Sequence, residues 1–140
     1  YKVLFGTNQN ELIEAAGGLK EGCEKVISGG PMMVFAMYTT DTPITKTSSS
    51  ILCMSKDEVS ACEPTACINC GRCVDACPSR IIPSRLADFA ERHDEEAFLK
   101  FNGLECVECG SCSYVCPAKR QLKQAIGSMR KTALANKKKK

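Results

Sequence analysis

The chain has 140 residues, enough for one domain or two small ones, and it contains 44% hydrophobic and 25% charged residues. This composition is globular and excludes a disordered, collagen-like or fibrous chain. The longest apolar stretch, from Met32 to Met37, is too short to span a bilayer. Residues 118–140 carry nine basic residues and no acidic one, whereas the remainder carries all 16 acidic residues and 10 basic ones. An acidic body with a basic tail argues against a nucleic-acid-binding protein.

Residues 1–60 contain strand and helix signals that predict a small α/β unit. Tyr1–Phe5 is apolar and predicts a strand, after which Asn8 and Glu11 have the spacing of a helix capping box. Two further strands are predicted over Lys25–Ser28 and Ile51–Met54. A strand, a helix and more strands within 60 residues favour a compact β-grasp-like module.

The start of the chain and its methionines carry two further expectations. The chain begins at Tyr1 rather than at Met and runs directly into apolar residues, from which we expect it to be a piece of a longer protein, truncated on the N-terminal side of the β-grasp module. Met32, Met33 and Met37 can form a binding surface, but we interpret them as core or packing residues.

Eight of the 11 cysteines form two copies of the pattern C-x2-C-G-x-C-x3-C-P. The copies span Cys67–Pro78 and Cys106–Pro117 and lie 39 residues apart. Three thiolates at this spacing on one tight loop can reach three irons of one cubane, while the fourth turns away at a proline towards the other cluster. Gly71 and Gly110 allow the backbone to approach the cluster. The runs therefore predict a domain with two [4Fe–4S] clusters over residues 61–120.

The crossed pattern assigns four ligands to each cluster. The first cluster is assigned Cys67, Cys70, Cys73 and Cys116, and the second is assigned Cys106, Cys109, Cys112 and Cys77. A disulfide scaffold is a weaker alternative because it needs an oxidising compartment, for which the sequence has no signal. A zinc site is also weaker, because zinc commonly uses two separated C-x2-C pairs.

Three cysteines lie outside the runs. Cys23 and Cys53 stand in unrelated contexts and are interpreted as small buried apolar residues. Cys62 precedes the first run by five residues, a spacing that fits neither copy, so we expect it not to be a ligand. No catalytic residue is predicted.

A helical insertion is predicted over residues 79–104, between the two runs. Ser84 is expected to cap a helix with Leu86 on its apolar face, and a second helix is expected to begin after Asp94 and to end near Asn102. His93 falls at the corner between them and is interpreted as a solvent-facing turn residue.

Residues 121–140 predict a basic amphipathic helix with a lysine tail. Leu122, Ile126, Met129 and Ala133 recur at helical spacing and predict an apolar stripe that packs on the ferredoxin domain. The terminal Lys137–Lys140 segment is expected to be disordered.

Three segments together resemble a known family. Residues 10–19 (NELIEAAGGL), 26–33 (VISGGPMM) and 67–73 (CINCGRC) are similar to the C-terminal part of the C subunit of the Rnf electron-transport complex, and the similarity covers nearly the whole chain. It implies an α+β protein in which a β-grasp (SLBB-like) ligand-binding domain precedes an α-helical bacterial-type ferredoxin domain. Val34 and the Lys46–Ser50 segment depart from the family pattern, and both lie in the β-grasp part.

The resemblance also implies a function, partners and a location. It implies electron transfer through the two clusters within a membrane-bound ferredoxin:NAD oxidoreductase that translocates sodium ions or protons. The chain would be a peripheral part of that complex, at the cytoplasmic face of a bacterial or archaeal membrane, next to a ferredoxin-like B subunit. Flavin mononucleotide and the nicotinamide nucleotide would bind only a missing upstream domain, so the chain alone would not act on NADH.

Three other functions remain open from the sequence. The first is the iron–sulfur part of a cobalamin reductase of bacterial microcompartments, which resembles the same Rnf protein. The second is a free-standing ferredoxin-type carrier, and the third is a structural iron–sulfur or zinc module that passes no electrons.

Overall fold

The computed structural model describes residues 1–30 and 35–139, in two compact units, Tyr1–Ala61 and Cys62–Lys140. The first unit contains helix α1 (Gln9–Ala15) and strands β1 (Lys25–Ser28), β2 (Phe35–Met37) and β3 (Ile51–Met54). The second unit contains helices α2 (Arg72–Asp75), α3 (Pro83–Glu91), α4 (Glu95–Lys100), α5 (Ser111–Tyr114) and α6 (Leu122–Lys139), and a 3-10 turn over Gly103–Glu105.

The first unit has a three-stranded antiparallel sheet in the order β2-β1-β3. The central residue Val26 pairs with Met37 on one side and with Cys53 on the other, and it is buried. The predicted strands Lys25–Ser28 and Ile51–Met54 are confirmed, whereas β2 was not predicted. Of the three methionines interpreted as packing residues, Met32 and Met33 lie outside the described residues.

The predicted strand over Tyr1–Phe5 is wrong. Leu4 and Phe5 are exposed, and ladder-like hydrogen bonding begins only at Gly6, whose N–H donates to the carbonyl of Ile44 at 2.9 Å. Beyond this hydrogen bond, the pairing of the two segments consists of one isolated bridge between Asn8 and Pro43. Extended towards Tyr1, this antiparallel pairing would set Phe5 opposite Lys46. The chain turns there, with the N–H of Ser48 donating to the carbonyl of Thr45 at 3.1 Å, so no ladder forms over Tyr1–Phe5.

Helix α1 begins where the sequence predicts it. The side chain of Asn8 accepts a hydrogen bond from the N–H of Asn10 at 2.9 Å, which satisfies one of the unpaired donors of the first turn. Ile13 is the buried apolar residue of this helix.

The two helices of the predicted insertion are present, but one of them begins differently. Helix α3 starts at Pro83 without a side-chain cap, so the expected capping by Ser84 is wrong. Proline suits the first helical position because its fixed φ is already helical and its missing N–H is not needed there. Helix α4 begins after Asp94 as expected, and the side chain of Asp94 caps it by accepting from the N–H of Ala97 at 2.9 Å. His93 is exposed, as expected for a turn residue, with a φ of 56°.

The core of the second unit lies between α3, α4 and α6. Leu86, Phe98 and Ile126 have no exposed surface and centre a single apolar cluster. The predicted stripe of α6 is confirmed, since Leu122, Met129 and Ala133 are also buried. Helices α3 and α6 begin 39 residues apart, the same offset as the cysteine runs, and they pack against each other.

The tail of α6 differs from the expectation of a disordered end. The helix continues to Lys139, and Lys140 lies outside the described residues. Asn136 donates to a carboxylate oxygen of Glu95 at 2.7 Å, and lysine is a good helix former, so the last turns are supported. None of the helices within residues 1–30 and 35–139 has both the length and the apolarity needed to cross a bilayer.

Candidate metal centres

The two cysteine runs fold into the same backbone conformation. In the first run Asn69 and Gly71 are left-handed, with φ values of 55° and 78°, on either side of Cys70. In the second run Glu108 and Gly110 repeat this geometry with φ values of 55° and 84°. Each glycine precedes a one-turn helix, α2 or α5. Such alternation of left-handed and right-handed residues curls the backbone, so that its N–H groups converge on a concave surface suited to an anion.

The fourth cysteine of each run turns away from the other three. The N–H of Cys77 donates to the carbonyl of Val74 at 3.1 Å, and that of Cys116 donates to Ser113 at 3.3 Å. A left-handed residue follows two positions after each proline, Arg80 and Lys119, both with a φ of 53°. Both copies therefore reverse direction at the same point, just before α3 and α6.

Two of the cavities in the second unit are each lined by four cysteines drawn from both runs. Cavity A is lined by Cys77, Cys106, Cys109 and Cys112. Cavity B is lined by Cys67, Cys70, Cys73 and Cys116. The fourth cysteine of each run thus lies with the first three of the other run.

Most of the other residues that line the cavities are apolar, with a few charged ones. Ile81, Pro83 and Ile126 line cavity A, and Ala118 and Leu122 line cavity B. Among the charged residues, Glu108 and Lys123 line cavity A and Arg120 lines cavity B. Each cavity is therefore a low-polarity space with thiols on its wall.

The cysteine thiols of cavity A differ in acidity because their surroundings differ. Burial raises the pKa of Cys112 to about 11. Burial also raises the pKa of Cys106. The N–H of Glu108, which donates to the Cys106 Sγ at 3.4 Å, lowers this pKa, and the negative charge of Glu108 raises it by less. A hydrogen bond with the Ser111 hydroxyl, with the two heavy atoms 3.5 Å apart, lowers the pKa of Cys109 instead.

The donor sets fit an all-cysteine iron–sulfur cluster. Thiolate is the ligand that iron–sulfur clusters use, and four thiols line each cavity. The charge of a bound metal centre would compensate the burial that disfavours the thiolate of Cys112. Within residues 1–30 and 35–139, no three His, Cys, Asp or Glu side chains converge closely enough to hold one metal ion. The four thiols that line each cavity match in number the cysteine ligands of one [4Fe–4S] cluster.

Ion pairs that join the cluster loops to the helices were not predicted. Glu108 accepts from the Nη1 of Arg130 at 3.3 Å, and the Nε of Arg130 donates to the carbonyl of Leu104 at 3.2 Å. On the other side, Arg120 donates to Asp88 at 2.8 Å and to Glu91 at 2.9 Å. Burial alone lowers the pKa of Arg120, but these two hydrogen bonds outweigh it and raise the pKa overall. The partners lie 22 to 32 residues apart in the chain, and no local sequence pattern marks such pairs.

The three remaining cysteines do not line either cavity. Cys62 is exposed, and Cys23 and Cys53 belong to the first unit. The interpretation of Cys53 as buried is wrong, because it lies on the edge strand β3 and is exposed, and Cys23 is half-buried.

Comparison with known proteins gives the family context. Residues 66–120 match the family described as 4Fe-4S dicluster domain. The C subunit of the proton-translocating ferredoxin:NAD(+) oxidoreductase complex of Clostridium ljungdahlii is 49% identical over 125 residues, which are 89% of this chain and 27% of that protein. The C subunit of the Na(+)-translocating complex of Acetobacterium woodii is 39% identical over 99% of this chain and 31% of its own length. The C subunit of an ion-translocating oxidoreductase complex of Methanosarcina acetivorans is 45% identical over 89% of this chain.

The chain is homologous to part of this C subunit. The predicted resemblance to the Rnf protein is thereby confirmed, as is the iron–sulfur character of the domain over residues 66–120. The chain spans about three tenths of the length of these relatives.

Proposed function

We propose that the protein transfers electrons through two [4Fe–4S] clusters held in cavities A and B. The proposal rests on one observation, that each cavity is lined by three cysteines of one run and the fourth of the other. Cys77, Cys106, Cys109 and Cys112 would hold one cluster, and Cys67, Cys70, Cys73 and Cys116 would hold the other. Such clusters supply one-electron chemistry, while the protein sets their potential through charge, hydrogen bonds and burial.

We infer that the chain is the iron–sulfur part of the C subunit of an ion-translocating ferredoxin:NAD oxidoreductase. The names of the relatives described above support this context, and they do not favour a cobalamin reductase or a free-standing carrier. In this setting the chain lies at the cytoplasmic face of a membrane complex, as a peripheral component next to a ferredoxin-like B subunit. Flavin mononucleotide and NAD(H) would bind the part of the longer relatives that this chain does not match.

We also propose that the first unit is a β-grasp (SLBB-like) domain. Its antiparallel sheet with a single capped helix, together with the resemblance of residues 10–19 and 26–33, supports this assignment. The domain boundaries that we propose are 1–60 for this module, 61–120 for the ferredoxin domain and 121–140 for the basic helix.

Reversible electron transfer separates this function from that of a structural module. The iron-loaded chain is reduced anaerobically with dithionite, freed of excess reductant and mixed with an oxidised acceptor dye. We expect the protein to accept electrons and to return them to the dye with its iron content unchanged. Iron-loaded protein that neither accepts nor returns electrons would contradict the proposal and indicate a scaffold.

A second experiment tests the proposed complex. NADH is added to the 140-residue chain and, separately, to a full-length C subunit loaded with flavin. We expect cluster reduction only in the full-length protein. Reduction of the isolated chain by NADH would overturn the inference that the nucleotide sites lie elsewhere.

A further inference from the structure

Positions 39 residues apart are equivalent in the two cluster loops, and this equivalence exposes differences between the cavities. Gly71 matches Gly110, and Ile68 matches Val107, so the loops are alike in most places. Glu108 of cavity A, however, is matched by Asn69 of cavity B. Arg120 of cavity B is matched by Ile81 of cavity A. Two fixed charges of opposite sign therefore distinguish the cavities.

At cavity A the acidic member of an ion pair lines the cavity together with the thiols. Glu108 lies between Cys106 and Cys109 in the chain, lines the cavity, and donates its N–H to the Sγ of Cys106 at 3.4 Å. Its partner Arg130, on α6, is not among the described residues that line this cavity. The Glu108 side chain is 19% exposed and lies against Gly127, where an added Cβ would be 3.1 Å from Oε2. The carboxylate is thus held in place and only partly screened by solvent.

At cavity B the polarity is reversed. Arg120 lines the cavity, and its side chain is only 12% exposed. Its partners Asp88 and Glu91 on α3 are 44% and 57% exposed, and neither is among the described residues that line the cavity. The cation is therefore the nearer and less screened charge.

One other charge acts on cavity A in the opposite sense. Lys123 also lines this cavity, and the equivalent residue of cavity B is Ser84. Lys123 is half-buried, and a lysine ammonium on its flexible stem is more strongly hydrated than the guanidinium of Arg120, which two carboxylates hold. Lys123 reduces the difference in charge between the two cavities, and its removal is a separate test.

We propose that Glu108 and Arg120 give the cluster of cavity B the higher reduction potential, so that it receives the first electron. An oxidised cubane with four thiolates carries a charge of about −2, and one electron makes it more negative. A nearby cation stabilises that added charge, whereas a nearby carboxylate opposes it. Glu108 and Arg120 would be tuning residues that touch no substrate. This inference rests on the proposed cluster sites and adds the order in which the two clusters accept electrons.

The test follows each cluster separately in the intact iron-loaded chain. The β-CH2 protons of cysteine ligands have hyperfine-shifted NMR signals, and assignment of these signals to individual cysteines reports the redox state of each cavity during a potentiometric titration. In half-reduced protein we expect the signals of Cys67, Cys70, Cys73 and Cys116 to change first.

Substitutions should move the two potentials in predictable directions. Glu108→Gln should raise the reduction potential of the cavity A centre, and Arg120→Gln should lower that of the cavity B centre. Both substitutions should therefore reduce the difference between the two potentials. The expected change in the distribution of the first electron is on the order of tenfold, and tenfold corresponds to 59 mV for a one-electron couple. Lys123→Ser removes a cation that lines cavity A, so it should increase the difference between the two potentials.

Matched variants separate charge from disturbance of the fold. Arg120→Lys keeps the charge and should preserve the order, and Glu96→Gln removes an exposed carboxylate of α4 and should change neither potential. If a variant loses iron, Asn69→Asp tests the same idea at an exposed position, because it should lower the potential of the cavity B centre.

The outcomes separate this inference from the proposed function. Unaltered protein that holds about four irons instead of about eight would contradict the two-cluster proposal itself. With both clusters present, reduction of the cavity A cluster before the cavity B cluster would overturn the inference that cavity B has the higher potential. Unchanged potentials in both Glu108→Gln and Arg120→Gln, with iron retained, would also overturn it.

Discussion

The thiol of Cys77 lines the same cavity as the thiol of Cys106, although α3 and α4 separate these residues in the chain. Burial is the largest cause of the raised pKa of Cys106, and the charge of Cys77 adds to it less than the charge of Glu108 does. Because each run completes the cavity of the other, the two cavities form together.

Replacement of Cys77 tests this exchange of ligands. Cys77→Ala should damage the centre that Cys106, Cys109 and Cys112 would hold and leave the other centre intact. The iron content should fall from about eight to about four. Cysteine proton signals in paramagnetic NMR would identify which centre remains, and loss of the centre near Cys67 and Cys70 would contradict the assignment.

Cysteines outside the cavities provide matched controls. Cys62→Ala, Cys23→Ala and Cys53→Ala should each retain the full iron content, because none of these residues lines either cavity. A loss of iron in Cys62→Ala would make that residue a ligand.

The packing of Gly103 gives a prediction about stability. An added Cβ would collide with the ring of Phe98, which is fully buried in the core. Gly103→Ala should lower the free energy of unfolding by about 1 to 3 kcal/mol, the usual effect of overpacking. Denaturant unfolding of the iron-loaded chain measures this change.

A double substitution checks that the collision is the cause. Phe98→Leu should create space for the new methyl group, so the Gly103→Ala change should be less destabilising in that background than in the natural chain. Strictly additive effects would show that the two positions do not interact.

The cysteine loops and the helices were predictable from sequence for one physical reason, that local spacing determines them. The repeated spacing within each run indicates the cluster loops, and the apolar period from Leu122 to Ala133 indicates the buried face of α6. The start of α4 after Asp94 is likewise local, because the hydrogen bond that caps the helix joins residues only three positions apart. Such signals do not depend on the remainder of the chain.

Apart from the start of α3, which Pro83 decides locally, the features that the sequence did not reveal depend on distant partners. Tyr1–Phe5 has a strand-like composition, but the segment that would stand opposite it, residues 46–50, begins in a turn at Thr45–Ser48 and offers no strand to pair with. The ion pairs of Glu108 with Arg130 and of Arg120 with Asp88 join separate elements, so their existence depends on the tertiary packing.

The first unit should show a specific dependence on pH. Lys25 donates to both carboxylate oxygens of Asp57, at 2.9 and 2.8 Å, and these hydrogen bonds lower the pKa of Asp57. Because the pKa of Asp57 is lower in the folded state, the ion pair stabilises the unit at pH values above the unfolded pKa of about 3.9. This stabilisation is lost as the pH falls through the folded pKa.

NMR titration of the Asp57 carboxyl carbon measures this effect locally. The pKa should lie below the ordinary value of about 3.9 and should return towards it in Lys25→Met. An ordinary pKa in the unaltered chain would show that the ion pair does not persist in solution.

The lysine tail is predicted to promote association with the membrane complex. Lys137 and Lys138 are exposed on the last turns of α6. A lysine near an anionic membrane surface contributes about 1 kcal/mol, and salt weakens this attraction. Deletion of Lys137–Lys140 retains Asn136 and its hydrogen bond to Glu95.

Co-sedimentation with vesicles of anionic lipid, and with the purified complex, measures the result of this deletion. We expect weaker association at low ionic strength, with the iron content and the rate of reduction by dithionite unchanged. Equal association of the full and shortened chains would indicate that the lysines only contact solvent.

The most direct test of the two-cluster account is the iron and acid-labile sulfide content of the anaerobically purified chain, measured together with its spectrum after reduction. The account predicts about eight irons and eight sulfides per chain, in two [4Fe–4S] centres that reduce and reoxidise without loss of metal. Stoichiometric zinc without sulfide, or a single centre of about four irons in fully folded protein, would contradict it.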